Sequence, residues 1–242
     1  MSLTIKEKEI KVTSEPGIDL EVALKSDLIL NWAKEIGKTE LVVHGVHIQS
    51  VDMFGKRVGF MKFKADIKNK EGKFVPGIVF ARGGAVSILV ILKSGNERYS
   101  LFTVQPRVPI GSDGFMEIPA GMLDGSGKFS GVAAKEMEEE TGIVIQEKNL
   151  IDLTEKAYGN KYKGMFPSVG GCDEFLRLFA YEVEMPKEKI LELNNKCTGL
   201  IDEGETITLK IVPFDEMWKL TSDSKTLCSL FLYEKLKLEG KI

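Results

Sequence analysis

The feature that most constrains this chain is a run of glutamates that follows a glycine-rich loop. A Pro-Ala-Gly turn near residue 120 and a loop rich in Gly, Ser and Asp lead into a predicted helix that ends at Thr141-Gly142 and carries Glu136, Glu138, Glu139 and Glu140. On a helix, positions i, i+3 and i+4 share a face, so Glu136, Glu139 and Glu140 are expected to converge. Like charges at these spacings cost roughly 0.2–0.5 kcal/mol per pair, and a hard divalent cation would offset that cost.

An acidic run of this kind is commonly no more than a solvated helix face. Here the same helix has a small apolar side formed by Ala133, Ala134 and Met137. The glycines before the helix let the backbone approach a ligand closely. The combination favours a metal-binding helix over a merely solvated one.

The stretch resembles the Nudix box of Nudix hydrolases, whose pattern is G-x5-E-x7-R-E-U-x-E-E-x-G-U with U aliphatic. Gly121 is the opening glycine, and Lys135 to Ile143, fourteen positions later, fill the second part. Two positions depart from the pattern, because Gly127 replaces the first Glu and Lys135 replaces the Arg. The resemblance implies that Glu136, Glu139, Glu140 and the Ala120 carbonyl hold Mg²⁺, or Mn²⁺, which accepts the same oxygen ligands, and that Glu139 also has a catalytic role in bridging or orienting water. Lys and Arg differ in bidentate pairing, so the departures bear on loop rigidity and metal affinity.

Composition excludes several other classes of protein. The chain has 242 residues, 43% of them hydrophobic, and a net charge of −3, which is typical of a soluble protein without a basic surface for a nucleic acid polymer. Its three widely spaced cysteines fit neither a disulfide framework nor a zinc site and favour a reducing, cytoplasmic location. We expect no membrane span and no targeting peptide.

Residues 1–84 form a predicted N-terminal piece, and residues 85–242 a Nudix domain. The N-terminal pattern predicts a strand at Ile5–Val12, one helix at Leu20–Ile36 and three antiparallel strands, at Thr39–Val51, Arg57–Lys68 and Lys73–Arg82. Such a piece is expected to bury little core alone and to pack on the rest of the chain or on a second subunit, as in a homodimer.

The second part begins with two predicted strands, and the second of them ends in candidate substrate residues. Ala85–Lys93 is a nearly continuous apolar run, and Tyr99–Gln105 leads into Pro106 and Arg107. Arg107 by itself reads as a surface charge. In the sugar-nucleotide branch of the Nudix family, however, a Gln-x-Arg at this place contacts the substrate, which implies roles for Gln105 and Arg107. Arg82 is a weaker candidate of the same kind.

A long loop at residues 157–174 follows a predicted strand at Ile145–Tyr158. Tyr158 and Tyr162 are candidates for base stacking, although a surface loop without a ligand is an equal alternative. The segment PSVGGCDE resembles the Ser-Pro-Gly-Gly-x-x-Glu segment of ADP-ribose and ADP-sugar diphosphatases, most closely the plant type. The resemblance implies that Gly170, Gly171 and Glu174 contact substrate.

The last part of the chain is predicted to hold the strands Phe175–Val183 and Thr208–Val212 and the helices Lys187–Asn195, Asp215–Leu220 and Ser224–Leu238. An acidic loop before the second of these strands is usually only a polar turn. The family resemblance implies that Glu203, or Glu205 as second choice, acts there as general base or organises the metal.

These observations predict an α+β protein with the Nudix fold, an α/β/α sandwich around a mixed sheet, plus an N-terminal helix and small antiparallel sheet. The predicted activity is metal-dependent hydrolysis of a nucleoside-diphosphate sugar to a nucleoside monophosphate and a sugar phosphate. Two alternatives stay open: a nucleotide-binding or regulatory module of the same fold without catalysis, and a structural partner whose N-terminal piece serves assembly.

Overall fold

The computed structural model describes residues 1–123, 128–199 and 206–242, which form two compact units. The first unit comprises Met1–Gly83 and Ser168–Glu174, and the second comprises Gly84–Pro167 and Phe175–Ile242. This division differs from the predicted one, since Ser168–Glu174 belong to the first unit. The reason is backbone pairing, because the Phe80 amide donates to Gly171 at 2.7 Å and the Asp173 amide donates to Phe80 at 3.3 Å. A local sequence pattern does not reveal such a long-range pairing.

The first unit is a six-stranded sheet with two helices. Its elements are β1 Ser2–Ile5, β2 Lys8–Ser14, α1 Leu20–Leu24, α2 Asp27–Ile36, β3 Val42–Phe54, β4 Arg57–Lys68, β5 Phe74–Val75 and β6 Ile78–Ala81. The strands follow the order β1-β2-β3-β4-β5, and β6 also pairs with β4. Strand β2 runs parallel to β3, so this sheet is mixed and not purely antiparallel as predicted.

Two further expectations for the N-terminal residues were wrong. The single predicted helix is two helices. Asp19 caps α1 with its carboxylate, and the Ser26 hydroxyl donates to the Ala23 carbonyl near the end of α1. Ser26 is also the N-cap residue of α2. The unit also has a core of its own, in which Ile29, Ile48 and Phe63 are fully buried. Strands of twelve and thirteen residues supply more apolar surface than a small sheet would.

The second unit is an eight-stranded sheet with helices on both faces. Its strands are β7 Gly84–Ser94, β8 Glu97–Arg107, β9 Ser112–Glu117, β10 Ala120–Met122, β11 Leu150–Asp152, β12 Phe175–Glu184, β13 Cys197–Thr198 and β14 Ile207–Pro213. Its helices are α3 Phe129–Thr141, α4 Leu153–Tyr158, α5 Lys187–Glu192, α6 Met217–Leu220 and α7 Ser224–Leu238. The main order is β11-β12-β7-β8-β14-β13, with β10 beside β7 and β9 beside β8.

Strand β7 explains why this unit is a sandwich. Its side chains alternate between two cores: Leu89 and Ile91 pack with helix α7, whereas Ile88 and Val90 pack with helix α3. A strand covered on both faces reads as a continuous apolar run, as the sequence shows here. Strand β12 lies parallel to β7, and β8 lies antiparallel to it, so the sheet is mixed. The predicted α/β/α fold is therefore confirmed.

One predicted strand in this unit was wrong over most of its length. Of Ile145–Tyr158, only Leu150–Asp152 pairs in the sheet, and Leu153–Tyr158 is helix α4. The Asp152 carboxylate accepts a hydrogen bond from the Glu155 amide at 2.8 Å, and this cap starts the helix directly after the strand. Within the three described ranges, none of the helices is both long and apolar enough to span a membrane.

Candidate active site

Helix α3 carries the acidic run and ends where the sequence predicts. Gly142 takes a left-handed conformation with φ of 72°, and its amide donates to the Glu138 carbonyl at 2.9 Å. Val132, Ala133 and Met137 anchor the helix in the core. The four glutamates consequently have different environments, with Glu140 buried, Glu136 and Glu139 partly buried and Glu138 exposed.

Glu140 is a carboxylate held in an apolar setting, with only 6% of the residue exposed. Its Oε2 atom accepts a hydrogen bond from the Ala120 amide at 3.0 Å. Burial raises its pKa from 4.5 to about 8, with further contributions from Glu136 and Glu117, while the Ala120 amide and Arg107 act in the opposite direction. A buried acid next to two others favours either a proton or a cation at this place.

Glu136 lies one helical turn before Glu140, directly against the backbone of Gly121. A side-chain carbon at position 121 would lie 1.7 Å from the Glu136 carboxyl carbon, well inside the contact distance. Only glycine therefore leaves room for this carboxylate at the start of the glycine-rich loop. The geometry brings Glu136, Glu140 and Ala120 into one place.

Glu139 has a different partner from the other two candidate ligands. Lys135 lies one turn before it on the exposed side of the helix, and its Nζ atom is 3.2 Å from Oε1 of Glu139. Lys135 is the residue that replaces the box arginine, so the substitution keeps a cation beside the acidic run. The water-orienting or bridging role of Glu139 stays a prediction.

Arg107 stands at the end of β8 and pairs with a buried carboxylate, while 40% of its own side chain is exposed. Its Nε atom donates to Oε1 of Glu117 at 2.5 Å. Glu117 is 2% exposed and also accepts a hydrogen bond from Lys225 at 2.6 Å. Gln105 precedes Arg107 in the same strand, and the pairing of β8 with β9 is irregular between the two residues. The charges of Arg107 and Glu117 both act on the pKa of Glu140, in opposite directions, so the candidate diphosphate clamp lies within electrostatic range of one candidate metal ligand.

The donor set fits a hard divalent cation that keeps part of its water shell. No group of three or more His, Cys, Asp or Glu side chains arranged for a metal occurs in residues 1–123, 128–199 or 206–242. Mg²⁺ usually binds through one or two carboxylates together with water and substrate phosphate, so Glu136 and Glu140 suffice as protein carboxylates. Burial chiefly raises the pKa of Glu140, and the negative charges of Glu136 and Glu117 add to the effect, so a bound cation would favour the ionised form.

Four of the candidate substrate residues belong to the first unit. Arg82 pairs with Glu174 at 3.3 Å and lies over the Phe60 ring at 5.6 Å. Asp173 holds this corner, because its Oδ1 atom accepts from the amides of Arg82 and Gly83. A side-chain carbon at Gly170 or Gly171 would meet nothing within 4 Å, so the glycine segment is open.

The loop aromatics contact each other and neighbouring lysines. The rings of Tyr158 and Tyr162 are 5.6 Å apart, and Lys161 lies 5.1 Å from the centre of the Tyr162 ring. Lys163 lies 4.1 Å from the centre of the Phe175 ring. Base stacking by the two tyrosines stays a prediction. Gly127, Glu203 and Glu205 lie outside the described residues, so the candidate general base also stays a prediction.

Sequence reasoning missed Lys225 and Asp223. The run Asp-Ser-Lys at residues 223–225 signals a helix N-cap, and Asp223 does cap α7 by accepting from the Lys225 and Thr226 amides. Nothing in that pattern indicates that the Lys225 side chain reaches Glu117, more than a hundred positions earlier in the chain.

Comparison with known proteins gives a consistent family. The family described as NUDIX domain matches residues 81–230. The chain is 44% identical over 245 residues to Nudix hydrolase 14, chloroplastic, of Arabidopsis thaliana, and the match covers 96% of this chain and 79% of that protein.

Two solved structures match this chain, and the first of them is similar in fold. An ADP compounds hydrolase matches with a TM-score of 0.55 and 19% identity, over 84% of this chain and 98% of that one. An Ap4A hydrolase binary complex from C. elegans matches with a TM-score of 0.44 and 15% identity, over 65% of this chain and 98% of that one.

Proposed function

Because this chain belongs to the Nudix hydrolase family, we propose that it is an enzyme of nucleoside-diphosphate compounds and that its substrate is an ADP-sugar such as ADP-ribose or ADP-glucose. The reaction is hydrolysis of the diphosphate linkage to a nucleoside monophosphate and a sugar phosphate. One observation carries the proposal: Glu140 is a buried carboxylate beside Glu136, and Arg107 lies close enough to affect its pKa.

The metal part of the proposal assigns Glu136, Glu140 and the Ala120 carbonyl as ligands of Mg²⁺, with Mn²⁺ as an alternative. A bound cation would supply positive charge to the diphosphate and a water of lowered pKa. In this hypothesis Glu139 orients that water. A buried, hydrogen-bonded Glu140 is a rigid ligand, which keeps the remaining positions for water and phosphate.

Arg107 is the proposed clamp on a diphosphate oxygen. Fixed cations aimed at developing charge are usually the largest contribution to this kind of catalysis. Arg107 is partly exposed, and Glu117 anchors its guanidinium at the Nε atom. Glu203, with Glu205 as second choice, is the proposed general base, a role worth roughly 10²–10⁴-fold in rate.

The sugar-nucleotide assignment is supported by residues outside the box. Gln105 and Arg107 match the Gln-x-Arg of that branch, and Gly170, Gly171 and Glu174 match its glycine segment. In the first unit Glu174 pairs with Arg82, so two of the proposed substrate contacts adjoin each other. We propose that Gly170, Gly171 and Glu174 bind substrate, and the match to that branch alone supports this role.

A panel of substrates tests the proposal. The protein is incubated with Mg²⁺ and ADP-ribose, ADP-glucose, UDP-glucose or diadenosine tetraphosphate, and the products are separated by chromatography. The proposal predicts AMP and a sugar phosphate from an ADP-sugar, with no turnover by Glu140→Gln. Preference for diadenosine tetraphosphate would refute the substrate, and unchanged turnover by the variant would refute the metal site.

The departures from the Nudix pattern at Gly127 and Lys135 favour a second candidate, a nucleotide-binding module of the same fold that does not hydrolyse its ligand. Calorimetric titration with ADP-ribose, with and without Mg²⁺, separates the two. Metal-dependent binding without product release would support the module, whereas release of AMP under the same conditions excludes it.

We also propose that the protein is a cytoplasmic homodimer. The first unit exposes Phe74 and Ile78, at 76% and 59%, and a subunit contact would bury such side chains. Light scattering coupled to gel filtration tests the assembly, and a monomer mass would refute it. Fluorescence microscopy of the tagged protein tests the location, and a signal confined to an organelle, as the chloroplast name of the Arabidopsis relative describes for that protein, would refute it.

A further inference from the structure

Glu117 is held between two cations in the second unit. Its Oε1 atom accepts from Arg107 Nε at 2.5 Å, and its Oε2 atom accepts from Lys225 Nζ at 2.6 Å. The Glu117 side chain is 3% exposed, and that of Lys225 is 16% exposed. Both carboxylate oxygens are therefore engaged in a setting where solvent screens little.

Lys225 is itself fixed by the start of helix α7. Its Nζ atom donates to Oδ1 of Asp223 at 2.8 Å, and Asp223 also caps the helix. Just before the helix, the Thr221 hydroxyl donates to the Met116 carbonyl at 2.5 Å, next to Glu117. The helix start is thus tied to strand β9 through Thr221 as well as through the lysine itself, so Lys225 is a rigid partner and not a mobile surface charge.

The arrangement decides which atoms of Arg107 are available. Glu117 engages Nε, and no residue in the described ranges bonds to the terminal nitrogens Nη1 and Nη2 of Arg107. Those two nitrogens are the pair that grips a phosphate in a two-bond arrangement. If Oε2 of Glu117 had no lysine, it would be free to accept a second bond from the same guanidinium, because carboxylate and guanidinium favour the two-bond fork.

We propose that Lys225 is a positioning residue for Arg107. It occupies the second oxygen of Glu117, and this confines Glu117 to Arg107 Nε and keeps both terminal nitrogens for the diphosphate. The inference rests on the proposed role of Arg107 as the diphosphate clamp. Lys225 touches neither substrate nor metal in this account and acts only through Glu117.

Kinetics with ADP-ribose and Mg²⁺ give the first test. Lys225→Met should lower kcat/KM about tenfold, with a raised KM, because one guanidinium donor is withdrawn from the phosphate. Lys225→Arg, which keeps the cation, should stay within about threefold of the wild type in both constants. The matched control is Lys235→Met, an exposed lysine on the same helix, with no expected change.

A double-mutant cycle separates positioning from general destabilisation. In an Arg107→Ala background, Lys225→Met should change KM by less than about twofold, because Arg107, the residue that Lys225 positions, is gone. The melting temperature should fall further in the Arg107→Ala background than in the wild type, because Glu117 then loses both of its cations. An additive effect of Lys225→Met on KM would overturn the inference, and Lys225→Gln replaces Lys225→Met in the cycle should the methionine variant not fold.

A measurement without substrate makes this inference independent of the proposed activity. The ¹H–¹⁵N signal of Arg107 Nε in the ligand-free protein should shift in Lys225→Met and stay in place in Lys235→Met. An unmoved signal would overturn the inference even in an active enzyme. A shifted signal in a protein that hydrolyses no nucleotide sugar would instead refute the proposed function and leave the positioning contact supported.

Discussion

Replacing Glu140 by glutamine should change how the stability of the metal-free protein depends on pH. The pKa of Glu140 is raised, chiefly by burial, from 4.5 to about 8 in the folded protein. Between these values the native state binds more protons than the unfolded state, so the free energy of unfolding falls as pH rises. The stabilising contribution is complete below pH 4.5 and is lost as pH passes about 8.

The size of the effect follows from the two pKa values. Ionising Glu140 across the whole range costs the native state about 4–5 kcal/mol, and the part between pH 5.5 and pH 9 is about 3 kcal/mol. Glutamine keeps an oxygen for the Ala120 amide but does not titrate. The difference in unfolding free energy between Glu140→Gln and the wild type should therefore shift by about 3 kcal/mol in favour of the variant.

Urea unfolding with a chelator present, at pH values from 5.5 to 9, measures this difference. Adding Mg²⁺ at pH 9 should then stabilise the wild type by about 2.7 kcal/mol at a hundredfold excess over its dissociation constant. The glutamine variant should gain little, because it lacks the charged ligand. Parallel pH curves for the two proteins would refute the conclusion that Glu140 is a buried, proton-binding acid. Equal stabilisation by Mg²⁺ would refute its role as a ligand.

Three more predictions concern single positions. Gly121→Ala should weaken Mg²⁺ binding at least about tenfold with the fold retained, because the added carbon displaces Glu136, and calorimetry and circular dichroism measure the two properties. Glu203→Gln should lower kcat about 10²–10⁴-fold, whereas Glu205→Gln should retain most activity; the reverse order would exchange their roles. Burial raises the pKa of Glu182, but bonding to neighbouring cations outweighs burial and lowers the pKa to about 2. The contribution of Glu182 to the stability of the fold is therefore present above pH 4.5 and is lost as the pH falls towards 2. Glu182→Gln should flatten that acid limb in urea unfolding, and an unchanged limb would contradict the assignment.

Much of the fold could be predicted because the sequence of a single element shows how it is buried and where it ends. Strand β7 is a continuous apolar run, and a strand covered on both faces requires such a run. The pair Thr141-Gly142 predicts the end of helix α3, and Gly142 does take the left-handed conformation. Helix α4 was missed, because an apolar segment as short as Leu153–Tyr158 fits either state, and the Asp152 cap decides it. The parallel pairing of β2 with β3 joins distant residues, so no local pattern contains it.

The candidate site, too, could be predicted from the sequence only in part. Glu136 and Glu140 could be named from helical spacing, but spacing gives no burial, and only the structure shows that Glu140 is enclosed while Glu139 pairs with Lys135. The reason for Gly121 is equally invisible in the sequence, since it depends on where the Glu136 carboxylate lies. Lys225 could not have been found, because its contact with Glu117 depends on how helix α7 meets strand β9.

A crystal structure with Mn²⁺ and a non-hydrolysable methylene analogue of ADP-ribose tests the central claim most directly, because the anomalous signal of manganese locates the metal without assumptions. The account predicts a peak at coordination distance, about 2.0–2.3 Å, from carboxylate oxygens of Glu136 and Glu140, with the diphosphate between the metal and Arg107. A peak bound elsewhere, with Glu140 still buried and bonded to the Ala120 amide beside an occupied substrate site, would contradict it.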